Sequence, residues 1–123
     1  MTPEDPSVVL DLIGAFRRSK AMFTAVKLGV FDRLNERPRT ANELALDLGA
    51  ETGALARLLD GCAGLGLLVK FGDRYGNSAV ADVYLRQGSR MSLAGYILYS
   101  DEVLYPMWAH LDDAVREGTH RWS

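Results

Sequence analysis

Few residues in this 123-residue chain are spaced for chemistry. His110 stands one helical turn ahead of Asp113, a spacing that two ligands of a metal ion could use. A metal site needs more donors than that, and the chain has two histidines, His110 and His120, and one cysteine, Cys62. A surface hydrogen bond along a helix is the simpler explanation of the pair. Asp101-Glu102 and Asp112-Asp113 are sequence neighbours, and neighbours on a helix point about 100° apart. They cannot face each other as an acid and a base. No serine or cysteine stands in a nucleophile's setting. Gly61-Cys62-Ala63-Gly64-Leu65-Gly66 has the spacing G-x-x-G-x-G, but a phosphate loop follows a strand and opens a helix. Here a helix precedes and a strand follows. The small residues are therefore expected to let a helix end pack closely, with Cys62 as a small buried hydrophobe. The sequence offers no catalytic residue, no cofactor loop and no metal site.

One cluster could serve a ligand. Tyr96, Tyr99, Tyr105, Met107 and Trp108 gather aromatic and flexible apolar groups around Pro106. Core packing accounts for such a cluster, and it is the expected role of Trp108. The same groups could also line a pocket for an aromatic substrate, or an interface.

The elements that must hold these groups are mostly helices. Pro6 and Ser7 make a plausible start, with Ser7 as the expected N-cap. From there Val9, Leu12, Phe16, Ser19, Phe23, Val26 and Val30 recur at alternating spacings of three and four. That is a coiled-coil-like seam along a helix running to about Leu28. Ile13, Met22, Ala25 and Leu28 widen it, so the helix needs a second neighbour besides its own core. Gly29 bends or ends it, and Val30 to Glu36 predicts a short further helix closed by Pro38. The helical arm thus covers 7–37. Thr40 and Glu43 form a capping box that opens a helix through Leu44 and Leu48 to Gly49. The turn Gly49-Ala50-Glu51 leads into a second helix with Leu55, Leu58, Leu59 and Cys62, a helix-turn-helix over 40–66. Leu67 to Phe71, Gly72-Asp73 and Arg74 to Ser78 predict a hairpin over 67–78. A helical turn around Val80 to Leu85 and a loop at Gln87-Gly88-Ser89 follow. C-terminal helices cover 92–118, with Leu93, Ile97, Leu104, Trp108, Leu111 and Val115 as their buried face and a kink or break near Tyr105 caused by Pro106. The expected fold is mainly α: one winged-helix domain, 1–123, with a long N-terminal helix, a small β-hairpin wing and C-terminal helices.

An apolar share of 48% supports one ordinary core and argues against disorder. A doubly wound cofactor domain does not fit in the length. One cysteine excludes a disulfide framework. The longest uncharged stretch, Met91 to Ser100, is too short to span a bilayer, and the acidic, proline-bearing Met1 to Pro6 is unlike a signal peptide. The expectation is a reduced, cytoplasmic, soluble domain with no membrane contact. A winged helix also invites a DNA-binding reading, but between Ala41 and Gly66 four acids (Glu43, Asp47, Glu51, Asp60) face one base, Arg57, a balance of -3. Phosphate neutralisation dominates DNA affinity, so this element would be repelled. Arg17, Arg18 and Lys20 form the densest basic cluster, on the first helix, where a solvated face is expected.

Leu28-Gly29-Val30-Phe31-Asp32 after a long helix, the Thr40 to Gly49 helix, and the Leu59 to Val69 stretch resemble the N-terminal domain of class-I O-methyltransferases. Trp108-Ala109-His110-Leu111-Asp112-Asp113-Ala114-Val115-Arg116-Glu117-Gly118 is similar to the hydroxyindole (acetylserotonin) branch. The resemblance implies a winged-helix dimerisation domain whose helices intertwine with a partner's and form part of the acceptor pocket. It implies a homodimer, a small aromatic hydroxyl acceptor, and S-adenosylmethionine as cofactor of the parent enzyme. The family's cofactor loop and histidine base have no counterpart in this sequence, so the chain resembles a separated N-terminal half, expected to be inactive alone. Its ending at Thr119-His120-Arg121-Trp122-Ser123, without a closing element, fits that expectation. Tyr99 matches a helix position facing the aromatic acceptor. Phe16, Ser19 and Phe23 match dimer-contact positions, where the first helix nears the partner's pocket. The implied substrate contacts are Tyr99, Phe16 and Phe23, and the implied dimer contacts are Val9, Leu12, Phe16, Ser19, Phe23 and Val26. The alternatives are a stand-alone winged-helix DNA-binding transcriptional regulator and a helical interaction module without a ligand.

Overall fold

The computed structural model describes residues 4–118. The N-terminal Met1-Thr2-Pro3 and the tail residues, His120 and Trp122 among them, lie outside the described residues. Helix α1 runs Ser7–Leu28. Ser7 is its first residue rather than its N-cap, and the Ser7 N–H donates to Asp5 Oδ1 at 2.9 Å. Gly29 ends α1 in the left-handed region (φ 83°), its N–H donating to the Ala25 and Val26 carbonyls. A Cβ there would be strained and would meet Arg33 Nη1 at 2.6 Å. Helix α2, Val30–Arg33, is shorter than the sequence suggests. Its residues Val30 and Phe31 have no exposed surface.

Strand β1, Arg39–Thr40, leads into α3, Ala41–Leu48. The capping box forms as expected. The Glu43 N–H donates to Thr40 Oγ1, and the Thr40 N–H donates to Glu43 Oε1, both at 3.1 Å. Helix α4, Thr52–Gly64, is capped by Glu51, whose carboxylate accepts the Gly53 and Ala54 N–H groups. Those two bonds, Ala54 first, hold its pKa below the ordinary carboxylate value. Strands β2, Leu68–Phe71, and β3, Arg74–Asn77, make the wing. Gly72, at φ 64°, opens the turn between them. The sheet order is β1-β3-β2, all antiparallel, with Arg39 opposite Tyr75 and Lys70 opposite Tyr75 on the other side. Strand β1 is an addition to the expected hairpin. Two residues carry no periodicity of their own, and β3 supplies the pairing that makes them a strand.

Helix α5, Ala79–Tyr84, is capped by Ser78, and α6 covers Ala94–Tyr99. A π turn, Ser100–Leu104, follows, then α7, Tyr105–Met107, a 3₁₀ turn at Trp108–His110 and α8, Leu111–Glu117. The break expected from Pro106 is therefore a change of helical winding. Pro106 has no N–H to give the carbonyl four residues back, and the Tyr105 N–H donates to Ser100 O, five back.

The core lies where α1, α3, α4 and the wing meet, centred on Phe31, Leu44, Leu59, Val26, Val30 and Cys62. Burial pushes the Cys62 thiol up to about 11, which makes it an inert packing group. Tyr75, also buried, donates its hydroxyl to Asp60 Oδ1, which Lys70 also reaches at 3.0 Å. The Tyr75 hydroxyl and then Lys70 hold the Asp60 carboxyl below its ordinary range.

Candidate functional site

The seam of α1 divides in two. Val8, Val9, Leu12, Ile13 and Phe16 each keep half or more of their surface exposed. Phe23 is half-buried, and Val26 is 1% exposed. Ala25 and Val26 pack into the chain's own core, so Val26 has no surface to give a partner and leaves the set of dimer contacts. Val9, Leu12, Phe16 and Ser19 remain on the open side. Arg18, beside them, pairs with Asp11 at 3.2 Å.

Phe23 meets the Tyr105 ring edge-on, with centroids 6.4 Å apart and planes at 77°. It also lines an almost wholly apolar cavity of about 450 Å³ with Met22, Tyr84, Tyr96, Ile97 and Ser100. Of the three expected substrate contacts, Phe23 alone belongs to this cavity; Phe16 and Tyr99 are exposed outside it. Tyr96, a member of the aromatic cluster with no role of its own in the sequence reading, stands in the cavity wall.

The predicted buried face of the C-terminal helices is largely open. Ile97 is buried, but Leu93, Trp108, Leu111 and Val115 are exposed, and the expectation that Trp108 is a core residue is corrected. The helical period places these side chains on one stripe, but among the described residues nothing buries Leu111 and Val115 of α8. Two apolar surfaces thus stand exposed among the described residues, one at each end.

Sequence reasoning missed one polar pair. Asp101 is the one buried acid among the described residues, and Lys20 of α1 meets it at 2.5 Å. The two are 81 residues apart, so no local pattern joins them. The only signal is that Asp101 closes the long uncharged run, where a charge drawn into an apolar setting needs a partner.

Among the described residues no group of three or more His, Cys, Asp or Glu is placed to hold a metal ion. Arg116 lies 3.9 Å from both Asp112 and Asp113. Gly61 and Gly64 lie within α4, not in a loop after a strand. On the helix-turn-helix the acids are engaged structurally: Glu43 by Arg37 and Arg74, Asp47 by Arg39, Asp60 by Lys70. Among the described residues no helix is long and apolar enough to cross a membrane.

A family model for the O-methyltransferase dimerisation domain matches residues 10–87. The chain belongs to the O-methyltransferase dimerisation-domain family. The domain is 39% identical over 120 residues to a human probable bifunctional dTTP/UTP pyrophosphatase/methyltransferase protein, covering 97% of this chain and 19% of that one. It is 37% identical to acetylserotonin O-methyltransferase of Gallus gallus, covering 96% of this chain and 36% of the relative. Among solved structures it superposes on human N-acetylserotonin methyltransferase in complex with SAM with a TM-score of 0.87. That match is 32% identical and covers 96% of this chain and 37% of that one. The chain therefore spans between about a fifth and somewhat over a third of these relatives' length. Of the residues that carried the resemblance in sequence, Leu28 to Asp32, the capped α3 and Leu59 to Val69 lie in the matched region, where Val30, Phe31, Leu44, Ala45 and Leu59 are buried in the core, whereas Trp108 to Gly118 lies beyond it.

Proposed function

We propose that this dimerisation domain is the N-terminal part of a S-adenosylmethionine-dependent O-methyltransferase that works as a homodimer on a small aromatic hydroxyl acceptor. The observation that carries the proposal is the uncovered apolar half of α1. Six large side chains of one helix, Val8, Val9, Leu10, Leu12, Ile13 and Phe16, are left half exposed or more, an apolar surface that a monomer seldom tolerates and a two-fold partner would bury. Val9, Leu12, Phe16 and Ser19 form the proposed contact, with Phe23 at its edge. In the proposed pocket, Phe16 and Tyr99 lend exposed aromatic surface and Phe23 the wall of the adjoining cavity. The chain's part in the chemistry is to bind the acceptor ring, orient its hydroxyl and exclude water.

S-adenosylmethionine and the general base belong, in this proposal, to a further domain, because the described residues contain no strand–glycine loop–helix unit. The lone, buried thiol suits a reducing cytoplasm. The balance of -3 on the helix-turn-helix, together with the family, supports the enzyme over a transcriptional regulator. The proposal is tested by reading the coding sequence past Ser123, where a strand followed by a G-x-G-x-G loop and a helix is expected. The longer polypeptide should bind S-adenosylmethionine and methylate a phenol, and residues 1–123 alone should do neither. Stoichiometric cofactor binding to residues 1–123 in calorimetry would overturn this division of labour.

A further inference from the structure

The π turn points a carboxylate inward. Asp101 is 5% exposed, and Lys20 is its ionic partner. The Lys20 ammonium also lies 5.6 Å from the centre of the Tyr105 ring. These three groups, with Pro106, Trp108 and Ala109, line a cavity of about 520 Å³, a size suited to a small ligand. Tyr105, which meets Phe23 edge-on, sets it beside the apolar cavity that Phe23 lines. Single π turns inside α-helices concentrate at functional sites.

The chemistry of the corner selects its occupant. A lysine ammonium has three donors, and Asp101 takes one. Lys20 remains about half exposed, so its other donors can face the cavity. The pair is neutral overall, so it offers donors without net positive charge. An anionic group reaching Lys20 would also approach the Asp101 carboxylate, and like charges repel at that range. A neutral oxygen acceptor meets no such cost. Tyr105 and the exposed Trp108 supply aromatic surface for a flat ring.

We propose that Lys20, held in place by Asp101, donates a hydrogen bond to a neutral ring carbonyl of an aromatic ligand that rests on Tyr105 and Trp108. This rests on the proposed function, in which the ligand is the acceptor. It narrows that acceptor to an aromatic hydroxyl compound that also carries a ketone- or quinone-type oxygen.

A matched pair of probes tests it: chroman-4-one and chroman, which differ only in the carbonyl oxygen. Each is titrated into the Trp122→Phe chain, which leaves Trp108 as the one indole, and binding is followed by the Trp108 indole N–H resonance. Chroman-4-one is expected to bind about tenfold more tightly than chroman, the worth of one charge-assisted hydrogen bond. That preference should vanish in Lys20→Met/Asp101→Leu, where apolar groups replace both ions and no charge is stranded. Retained dispersion of the amide spectrum shows that the double variant is folded. Equal affinity for the two probes, no binding of chroman-4-one, benzoate binding more tightly than chroman-4-one, or an undiminished preference in the double variant would each overturn the proposal. Light scattering on the same samples separates it from the dimer. A monomer that still prefers the ketone refutes the dimer alone, and a dimer without the preference refutes the carbonyl site alone.

Discussion

The two halves of α1 carry the same apolar spacing and meet opposite surroundings. Between Val8 and Phe16 the large side chains lie open, whereas Ala25 and Val26 are buried in the chain's own core. Lys20 sits at the changeover, its head half exposed and its charge tied to the buried Asp101. Amphipathic spacing states that a face must be covered; it does not state whether the chain itself or a second molecule covers it. In the lower half the core does so. In the upper half, if the domain pairs as proposed, a second copy does.

The same kind of substitution should therefore have different consequences along one helix. Val26→Asp places an unpaired carboxylate in the core and should cost more than about 4 kcal/mol, leaving no cooperative unfolding transition in a denaturant titration. Lys20→Met strands Asp101 and should cost about 2 kcal/mol, with the fold retained, as read by urea denaturation. Thr40→Ala, remote from both halves, removes the acceptor for the Glu43 N–H and should cost about 1 kcal/mol without changing the oligomeric state. Arg18→Asp, on the exposed half, should change stability by less than about 0.5 kcal/mol and leave the assembly intact, because its pair with Asp11 is a surface one.

The capping box carries a pH signature. The Thr40 N–H, above all, and then the Thr40 hydroxyl, Arg37 and Arg74 lower the Glu43 pKa to about 2, from an ordinary 4.5. A depressed carboxylate stabilises the fold fully above its unfolded pKa and loses that contribution as pH falls through the folded one. Stability should therefore drop between about pH 4.5 and 2, and Glu43→Gln should flatten that part of the curve in thermal melts.

How much the sequence reveals depends on how local the cause is. The Thr40–Glu43 box, the Gly72 turn and the end of α1 at Gly29 rest on neighbours three or four residues apart, and each is legible. Strand β1 is not, because its partner Tyr75 lies 36 positions on. The lengths of α2 and of the π turn depend on packing and on one missing N–H at Pro106. Phe16 and Phe23 are legible as one stripe, but their depth is not, since depth depends on which helices arrive from elsewhere. Lys20 and Asp101 are invisible as a pair for the same reason. The exposed Trp108, Leu111 and Val115 are misassigned by the sequence because periodicity identifies a stripe without supplying its cover.

Light scattering on the wild-type chain and on Phe16→Asp decides whether a second copy covers the upper half of α1. At about 100 µM, where a modest interface is populated, the wild type should have twice the 13.5 kDa mass of one chain. Phe16→Asp should have the single-chain mass and an unchanged far-ultraviolet spectrum. A wild type that stays at 13.5 kDa, or a Phe16→Asp variant that remains a dimer, would contradict the assignment of the upper half of α1 to a partner.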